Sequence, residues 1–154
     1  MKGFSIKTEI EEYDTFEQYA AQAGLGPEDL VLCGKHTYDK YVAPLSLGTQ
    51  TLFREKYGKG EPTDGMVDAI LDALREKEFN RIIAIGGGTV VDIAKVVAVA
   101  GKEDKVDDLY DHVDSLKKVH PLVIIPTTCG TGSEVTNISV INRVSKGVKM
   151  GLAS

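Results

Sequence analysis

Three short apolar runs are spaced along the chain, and each has the length of a strand that is buried on both faces. They are residues 30–33 (LVLC), 81–85 (RIIAI) and 122–125 (LVII). Each is followed directly by glycine, or by proline and threonine. Weaker patterns predict further strands, the last two of them joined by a turn at Lys146 and Gly147. These segments are 1–10, 49–58, 138–143 and 147–154.

The segments between the apolar runs show the periodicity of helices. The clearest helix is predicted within residues 61–80, where four apolar residues share one helix face. They are Val67, Ile70, Leu71 and Leu74. Thr63 is its predicted N-cap, since a threonine hydroxyl accepts a hydrogen bond from a free amide of the first turn. Other helices are expected at 90–100, at about 15–22 and at 37–45, and the charged segment 102–118 is expected to be exposed with some helix.

The alternation of buried strands with helices is typical of an α/β domain with a largely parallel sheet and flanking helices. The 154 residues suggest one domain, and an apolar content of 42% is enough for a core. A net charge of −5 argues against nucleic acid as a partner. No apolar run approaches the roughly 20 residues that span a bilayer, and the acidic N-terminal segment is unlike a signal peptide. A cytoplasmic protein with no membrane partner is therefore expected.

The sequence Gly86-Gly87-Gly88-Thr89 joins a predicted strand to an apolar helix. Glycines allow close approach of the backbone to a ligand and also positive φ angles. The helix that follows presents free N–H groups and the positive end of its dipole, which together favour a pyrophosphate. The pattern is neither a G-x-G-x-x-G fingerprint nor a P-loop. The alternative is a tight strand-to-helix turn that binds nothing.

Residues 126–137 (PTTCGTGSEVTN) follow another predicted strand. Threonine and serine hydroxyls and two glycines make this segment suitable for the ribose and nicotinamide side of a dinucleotide. In an open α/β sheet, ligands bind outside the carboxyl ends of the strands, so both segments are expected at one edge. The alternative is a polar loop that caps a helix or turn near Ser133.

Together, IAIGGGTVVDIAK and PTTCGTGSEVTN resemble the iron-dependent (group III) alcohol dehydrogenase family. The one departure from the family's two motifs is Thr89 in place of serine, which keeps the hydroxyl. The stretches FREKYGKGEPTDGM, FNRIIAIGGG and KMGLAS resemble its 4-hydroxybutyrate dehydrogenase branch in particular. The resemblance implies that residues 1–154 form the Rossmann-like N-terminal domain of a dehydroquinate synthase-like fold. It also implies NAD or NADP as cofactor.

The resemblance further assigns roles to individual residues. Gly87, Gly88 and Thr89 would hold the pyrophosphate, and the threonines of the second motif would line the ribose and nicotinamide. A lysine after the loop would contact the ribose, and Gly34 lies where many members carry an aspartate on the adenosine ribose. An acidic residue there would repel a 2′-phosphate, so Gly34 leaves NADP possible. The remaining candidates are Thr127, Thr128, Thr131, Thr136, Lys149 and Asp92, the last of which either approaches the nicotinamide or favours the helix N-terminus.

The implied reaction interconverts a primary alcohol and an aldehyde, with 4-hydroxybutyrate and succinate semialdehyde as the expected pair. A bound Fe²⁺ or Zn²⁺ would polarise the substrate oxygen. The family's ligands, one aspartate and three histidines in a helical domain, are expected beyond residue 154, because His36, His112 and His120 have no metal-ligand spacing. No catalytic residue is expected in this chain. A homodimer is one further expectation, and a stand-alone, non-catalytic nucleotide-binding module is the alternative function.

Overall fold

Four parallel strands form one sheet in the computed structural model, which describes residues 7–153. In chain order they are β1 (Asp29–Cys33), β2 (Gln50–Phe53), β3 (Arg81–Gly86) and β4 (Leu122–Pro126), and their order across the sheet is β2-β1-β3-β4. Cys33 lies opposite both Phe53 and Ile85, and Gly86 lies opposite Pro126. All four carboxyl ends therefore share one edge, which confirms the predicted α/β fold and brings the loops that follow the strands close together.

Five α-helices accompany the sheet in the described part of the chain. They are α1 (Phe16–Ala23), α2 (Lys35–Thr37), α3 (Asp64–Leu74), α4 (Gly88–Val99) and α5 (Val106–Asp111). Helical turns continue from α2 to Leu45. Thr63 caps α3 as predicted, and Thr15 caps α1, since each hydroxyl accepts a hydrogen bond of 3.1 Å from an amide three residues on.

Alternate residues of β1 and β3 enter two different apolar layers. Leu30 and Leu32 face a layer made with α3, α4 and α5, whereas Val31 and Cys33 face a layer made with α1 and the turns after α2. All four are fully buried, because β1 lies inside the sheet and is covered on both faces. This central packing holds the strand ends in a fixed register.

The last two strands, β5 (Ile138–Arg143) and β6 (Val148–Ala153), form a separate antiparallel hairpin around Gly147, as predicted. Ile141 and Leu152 anchor it in the core beside α4. The Asn142 amide also donates to the Pro62 carbonyl at 2.8 Å, which links the hairpin to the start of α3.

Several elements differ from the sequence-based predictions. The strand predicted for 1–10 lies largely outside the described residues, and residues 7–10 are not in a strand. The segment 49–58 leaves the sheet at Phe53. β4 is half-buried rather than buried because it is an edge strand. The segment 102–118, predicted to be exposed, carries two core residues on α5, Val106 and Leu109. Within residues 7–153, none of the helices combines the length and the apolar character needed to cross a bilayer.

Candidate functional site

The glycine turn, residues 86–89, connects β3 directly to α4. A Cβ atom on Gly86 would lie 2.8 Å from Cβ and Cγ2 of Val90, a separation that side chains do not tolerate. A Cβ on Gly87 would lie 3.2 Å from the Thr128 hydroxyl oxygen. Gly86, Gly87 and Gly88 all lack positive φ angles, so close packing, and not backbone conformation, is the reason for glycine at positions 86 and 87, whereas a Cβ on Gly88 would make only ordinary van der Waals contacts.

The N-terminus of α4 has no side-chain cap, in contrast to α1 and α3. Gly87 occupies its N-cap position and supplies no acceptor for the first amides. Those N–H groups and the helix dipole are therefore directed toward the edge where the strands end. This arrangement fits a pyrophosphate group, and Thr89, partly exposed in the first turn, adds a hydroxyl.

The threonine loop, residues 127–137, begins against the glycine turn. The Thr127 amide donates to the Gly86 carbonyl at 3.0 Å. Methyl Cγ2 of Thr131 would be 3.7 Å from a Cβ on Gly88, so this loop covers the turn along its length. Thr127, Thr128 and Thr131 are exposed, which leaves their hydroxyls accessible to a ligand. The two predicted segments are thus in direct contact.

Lys95, which sequence reasoning did not single out, holds the threonine loop in place. Its ammonium group donates to the hydroxyls of Ser133 and Thr136, both at 3.1 Å, and to the Ile138 carbonyl at 2.9 Å. Burial lowers the pKa of Lys95, an effect opposed by the charges of Asp92 and Glu134. Asp92 and Lys95 lie three residues apart on one face of α4, and that spacing was the available signal.

Three of the predicted cofactor residues already have side-chain partners within the protein. The Asp92 carboxylate accepts a hydrogen bond of 2.9 Å from the Ser133 hydroxyl, which ties the threonine loop to α4. The Thr136 hydroxyl accepts from Lys95. Lys149 is also engaged, because its ammonium lies 2.6 Å from a Glu61 oxygen, ahead of α3. All three side chains therefore have partners within the protein, and their contacts with a cofactor stay predictions.

Gly34 lies at the same edge of the sheet, directly after β1. A carboxylate is present beside it, but it belongs to Glu55, which follows β2. The Lys35 amide donates to Glu55 Oε1 at 2.5 Å, and Oε2 lies 3.6 Å from the position of a Cβ on Gly34.

The donor set of residues 7–153 does not fit a metal centre. No group of three or more His, Cys, Asp or Glu side chains in this part of the chain could hold a metal ion. His120 stacks on Phe79 with ring centroids 4.4 Å apart, and its Nδ1 lies 2.8 Å from the Asn80 carbonyl. Cys33 is a free, buried cysteine and Cys129 a free, exposed one.

Solved structures share this fold. An iron-containing alcohol dehydrogenase is 30% identical and superposes with a TM-score of 0.71, over 89% of this chain and 40% of that protein. A sulfoacetaldehyde reductase from Bifidobacterium kashiwanohense, solved in complex with NAD⁺, is 25% identical with a TM-score of 0.71, over 90% of this chain and 38% of that one. These comparisons confirm the predicted fold.

The sequence comparisons agree with the structural ones. A 4-hydroxybutyrate dehydrogenase from Clostridium kluyveri is 39% identical over 154 residues, which are the whole of this chain and 41% of that protein. An NAD-dependent methanol dehydrogenase from Bacillus methanolicus is 38% identical over 92 residues, 58% of this chain and 24% of that enzyme. The chain thus spans about two fifths of the first relative's length. The family model for iron-containing alcohol dehydrogenases matches residues 7–154, and the chain belongs to that family.

Proposed function

We propose that this chain binds a nicotinamide dinucleotide across the carboxyl ends of its strands, as the cofactor-binding part of an alcohol dehydrogenase. The observation that carries the proposal is the contact between the uncapped glycine turn and the threonine loop. Gly87 lies against Thr128 so closely that a Cβ would be 3.2 Å from its hydroxyl oxygen. Free amides and exposed hydroxyls are thereby placed side by side at the edge where α/β sheets bind nucleotides.

Each segment would bind a different part of the cofactor. The amides of the first turn of α4, with the Thr89 hydroxyl, would hold the pyrophosphate. The hydroxyls of Thr127, Thr128 and Thr131 would orient the ribose and nicotinamide, while Lys95 keeps the loop in position. When bound, the nicotinamide supplies a carbon that accepts or returns a hydride. This chain's residues would orient that ring and cover one side of it.

For the whole enzyme we propose the interconversion of a primary alcohol and an aldehyde, with 4-hydroxybutyrate and succinate semialdehyde as the pair. The 39% identity to the Clostridium kluyveri enzyme over the whole chain supports this substrate class. Fe²⁺ or Zn²⁺ is the proposed metal, and residues other than 7–153 would hold it. The helical metal-binding domain and a homodimer remain predictions.

Calorimetric titration of the chain with NAD⁺ and with NADP⁺ tests the cofactor site. We expect binding of at least one dinucleotide, and a loss of affinity of about tenfold or more for Gly87→Val. Gly65→Val is the matched control, because a Cβ at Gly65 in α3 meets no atom within 4 Å. Its circular dichroism spectrum and its affinity should remain those of the wild type. Failure of the wild type to bind either dinucleotide at millimolar concentration would refute the proposal.

A further inference from the structure

The Glu55 carboxylate follows β2, so it lies at the carboxyl ends of the strands. It is separated from the proposed pyrophosphate site after β3 by the end of β1. β1 is hydrogen-bonded to β3 on one side and to β2 on the other. Because Phe53 of β2 is in register with Cys33 of β1, the residues that follow both strands emerge next to each other. This explains how a residue after β2 comes to lie beside Gly34.

The position of Glu55 corresponds to the ribose end of a dinucleotide. Neighbouring strands are about 4.8 Å apart, so the ends of β1 and β2 are about 5 and 10 Å from the glycine turn. A dinucleotide whose pyrophosphate lies on that turn, and whose nicotinamide half lies over the threonine loop after β4, must direct its adenosine toward β1 and β2. In nucleotide-binding α/β domains an acidic residue in that direction accepts hydrogen bonds from the ribose hydroxyls.

One oxygen of Glu55 is fixed and the other is exposed to the site. The Lys35 amide binds Oε1, which orients the carboxylate. Oε2 faces Gly34, and the described residues provide it with no hydrogen-bond donor. Gly34 contributes by lacking a side chain, because even a Cβ at that position would be in van der Waals contact with Oε2, 3.6 Å away.

Three basic side chains near this carboxylate each contact another group of the protein. The Lys35 ammonium lies 2.5 Å from an Asp39 oxygen. The Arg54 guanidinium donates to the Gly60 carbonyl, and the Lys56 ammonium lies over the Phe53 ring at 5.9 Å. A 2′-phosphate would therefore meet the Glu55 charge, while Lys35, Arg54 and Lys56 each already have another partner.

We propose that Glu55 selects NAD over NADP, an inference that rests on the dinucleotide site proposed above. Its free oxygen accepts a hydrogen bond from the adenosine ribose, and its charge repels a 2′-phosphate that carries about two negative charges. Gly34 by itself leaves the cofactor undecided. The carboxylate that decides it comes from the turn that follows the neighbouring strand, β2.

Glu55→Gln tests the role of the charge, because glutamine keeps an acceptor for the Lys35 amide and nearly the same shape. Calorimetric titrations of NAD⁺ and NADP⁺ give the ratio of the two dissociation constants. We expect the wild type to prefer NAD⁺ by at least about tenfold, and the variant to reduce that preference by about tenfold. Glu103→Gln removes the same charge from an exposed site. It should leave the ratio unchanged, and the melting temperatures of all three proteins should agree.

Three outcomes would overturn the inference, and they are distinguishable. A wild type that binds neither dinucleotide removes the proposed function and this inference together. A wild type that prefers NADP⁺, or binds both equally, leaves the dinucleotide site standing and refutes selection by Glu55. A preference for NAD⁺ that Glu55→Gln does not alter refutes the role of Glu55 alone.

Discussion

The two segments that form the candidate site are held in place by different forces. The glycine turn is fixed by packing, because Gly86 lies against Val90 with no room for a side chain. The threonine loop is fixed by polar side chains, chiefly Lys95 and Asp92 beneath it. Both sets of contacts come from α4. One helix therefore positions both halves of the site, and the two halves should respond differently to substitution.

The largest effect is expected at the glycine turn. Gly86→Ala places a Cβ 2.8 Å from two Val90 carbons, so β3 and α4 must move apart. Overpacking of this kind destabilises proteins by about 1–3 kcal/mol. Urea unfolding of the variant should show that loss.

Gly65→Ala is the matched control for the glycine turn. It adds the same methyl group to α3 without a contact, and should stabilise the protein by roughly 0.5–1 kcal/mol. Equal effects of the two substitutions would contradict the role given to packing.

Removal of the Lys95 ammonium should affect the loop rather than the turn. Lys95→Met keeps the apolar stem but removes three hydrogen bonds. A loss of about 1–2 kcal/mol is expected, together with faster amide hydrogen exchange in residues 127–138. Exchange in the glycine turn should change little.

Lys102→Met is the control for Lys95. The Lys102 ammonium pairs with exposed Glu78 at 2.8 Å, and its removal should leave both stability and loop exchange unchanged. Slow exchange in the Lys95→Met loop would show that the loop does not depend on this lysine.

The hairpin that follows the loop should detach more easily in acid. The Ser145 hydroxyl and amide both donate to the Asp64 carboxylate and lower its pKa below 3.8, against an opposing effect of burial. A depressed folded-state pKa stabilises the protein above 3.8, and that contribution is lost as the pH falls through the lower folded value.

Urea unfolding of the wild type and Asp64→Asn between about pH 2 and 5 measures the Asp64 contribution. The difference in stability between the two proteins should shrink as the pH falls. Parallel stability curves would show that Asp64 does not anchor the hairpin.

The smallest effect, with no change in stability, concerns the two thiols. Burial, followed by the charges of Glu55 and Asp39, raises the pKa of Cys33 to about 12, whereas Cys129 is exposed in the threonine loop. A disulfide reagent should modify one thiol quickly in the native protein and both after unfolding. NAD⁺ should slow the reaction of Cys129. Rapid reaction of both thiols in the native state would mean that the sheet edge is less closely packed than described.

Elements with a strong local signal were predictable from the sequence. The apolar runs of β1 and β3 and the cap Thr63 each depend on a few adjacent residues. The proximity of the glycine turn and the threonine loop also followed from the sequence, because both come after parallel strands.

Features that depend on contacts between distant segments were not predictable. The burial of Leu109 within a charged segment, and the half-exposure of β4 at the sheet edge, depend on what packs beside them. Lys95 contacts residues 38 to 43 positions away, and Glu55 reaches an amide 20 positions away. The spacing of Asp92 and Lys95 places both on one face of α4, but contacts over such distances leave no signal in a single sequence.

The most direct test of the account is a map of backbone amide shifts in the ¹⁵N-labelled chain during titration with NAD⁺. We expect the amides of residues 86–89 and 127–131 to shift together, with one dissociation constant. Amides next to Asn80 and Pro121, which precede the amino ends of β3 and β4, should not shift. Shifts in only one of the two segments, or shifts concentrated at those amino ends, would contradict the claim that the glycine turn and the threonine loop form one dinucleotide site.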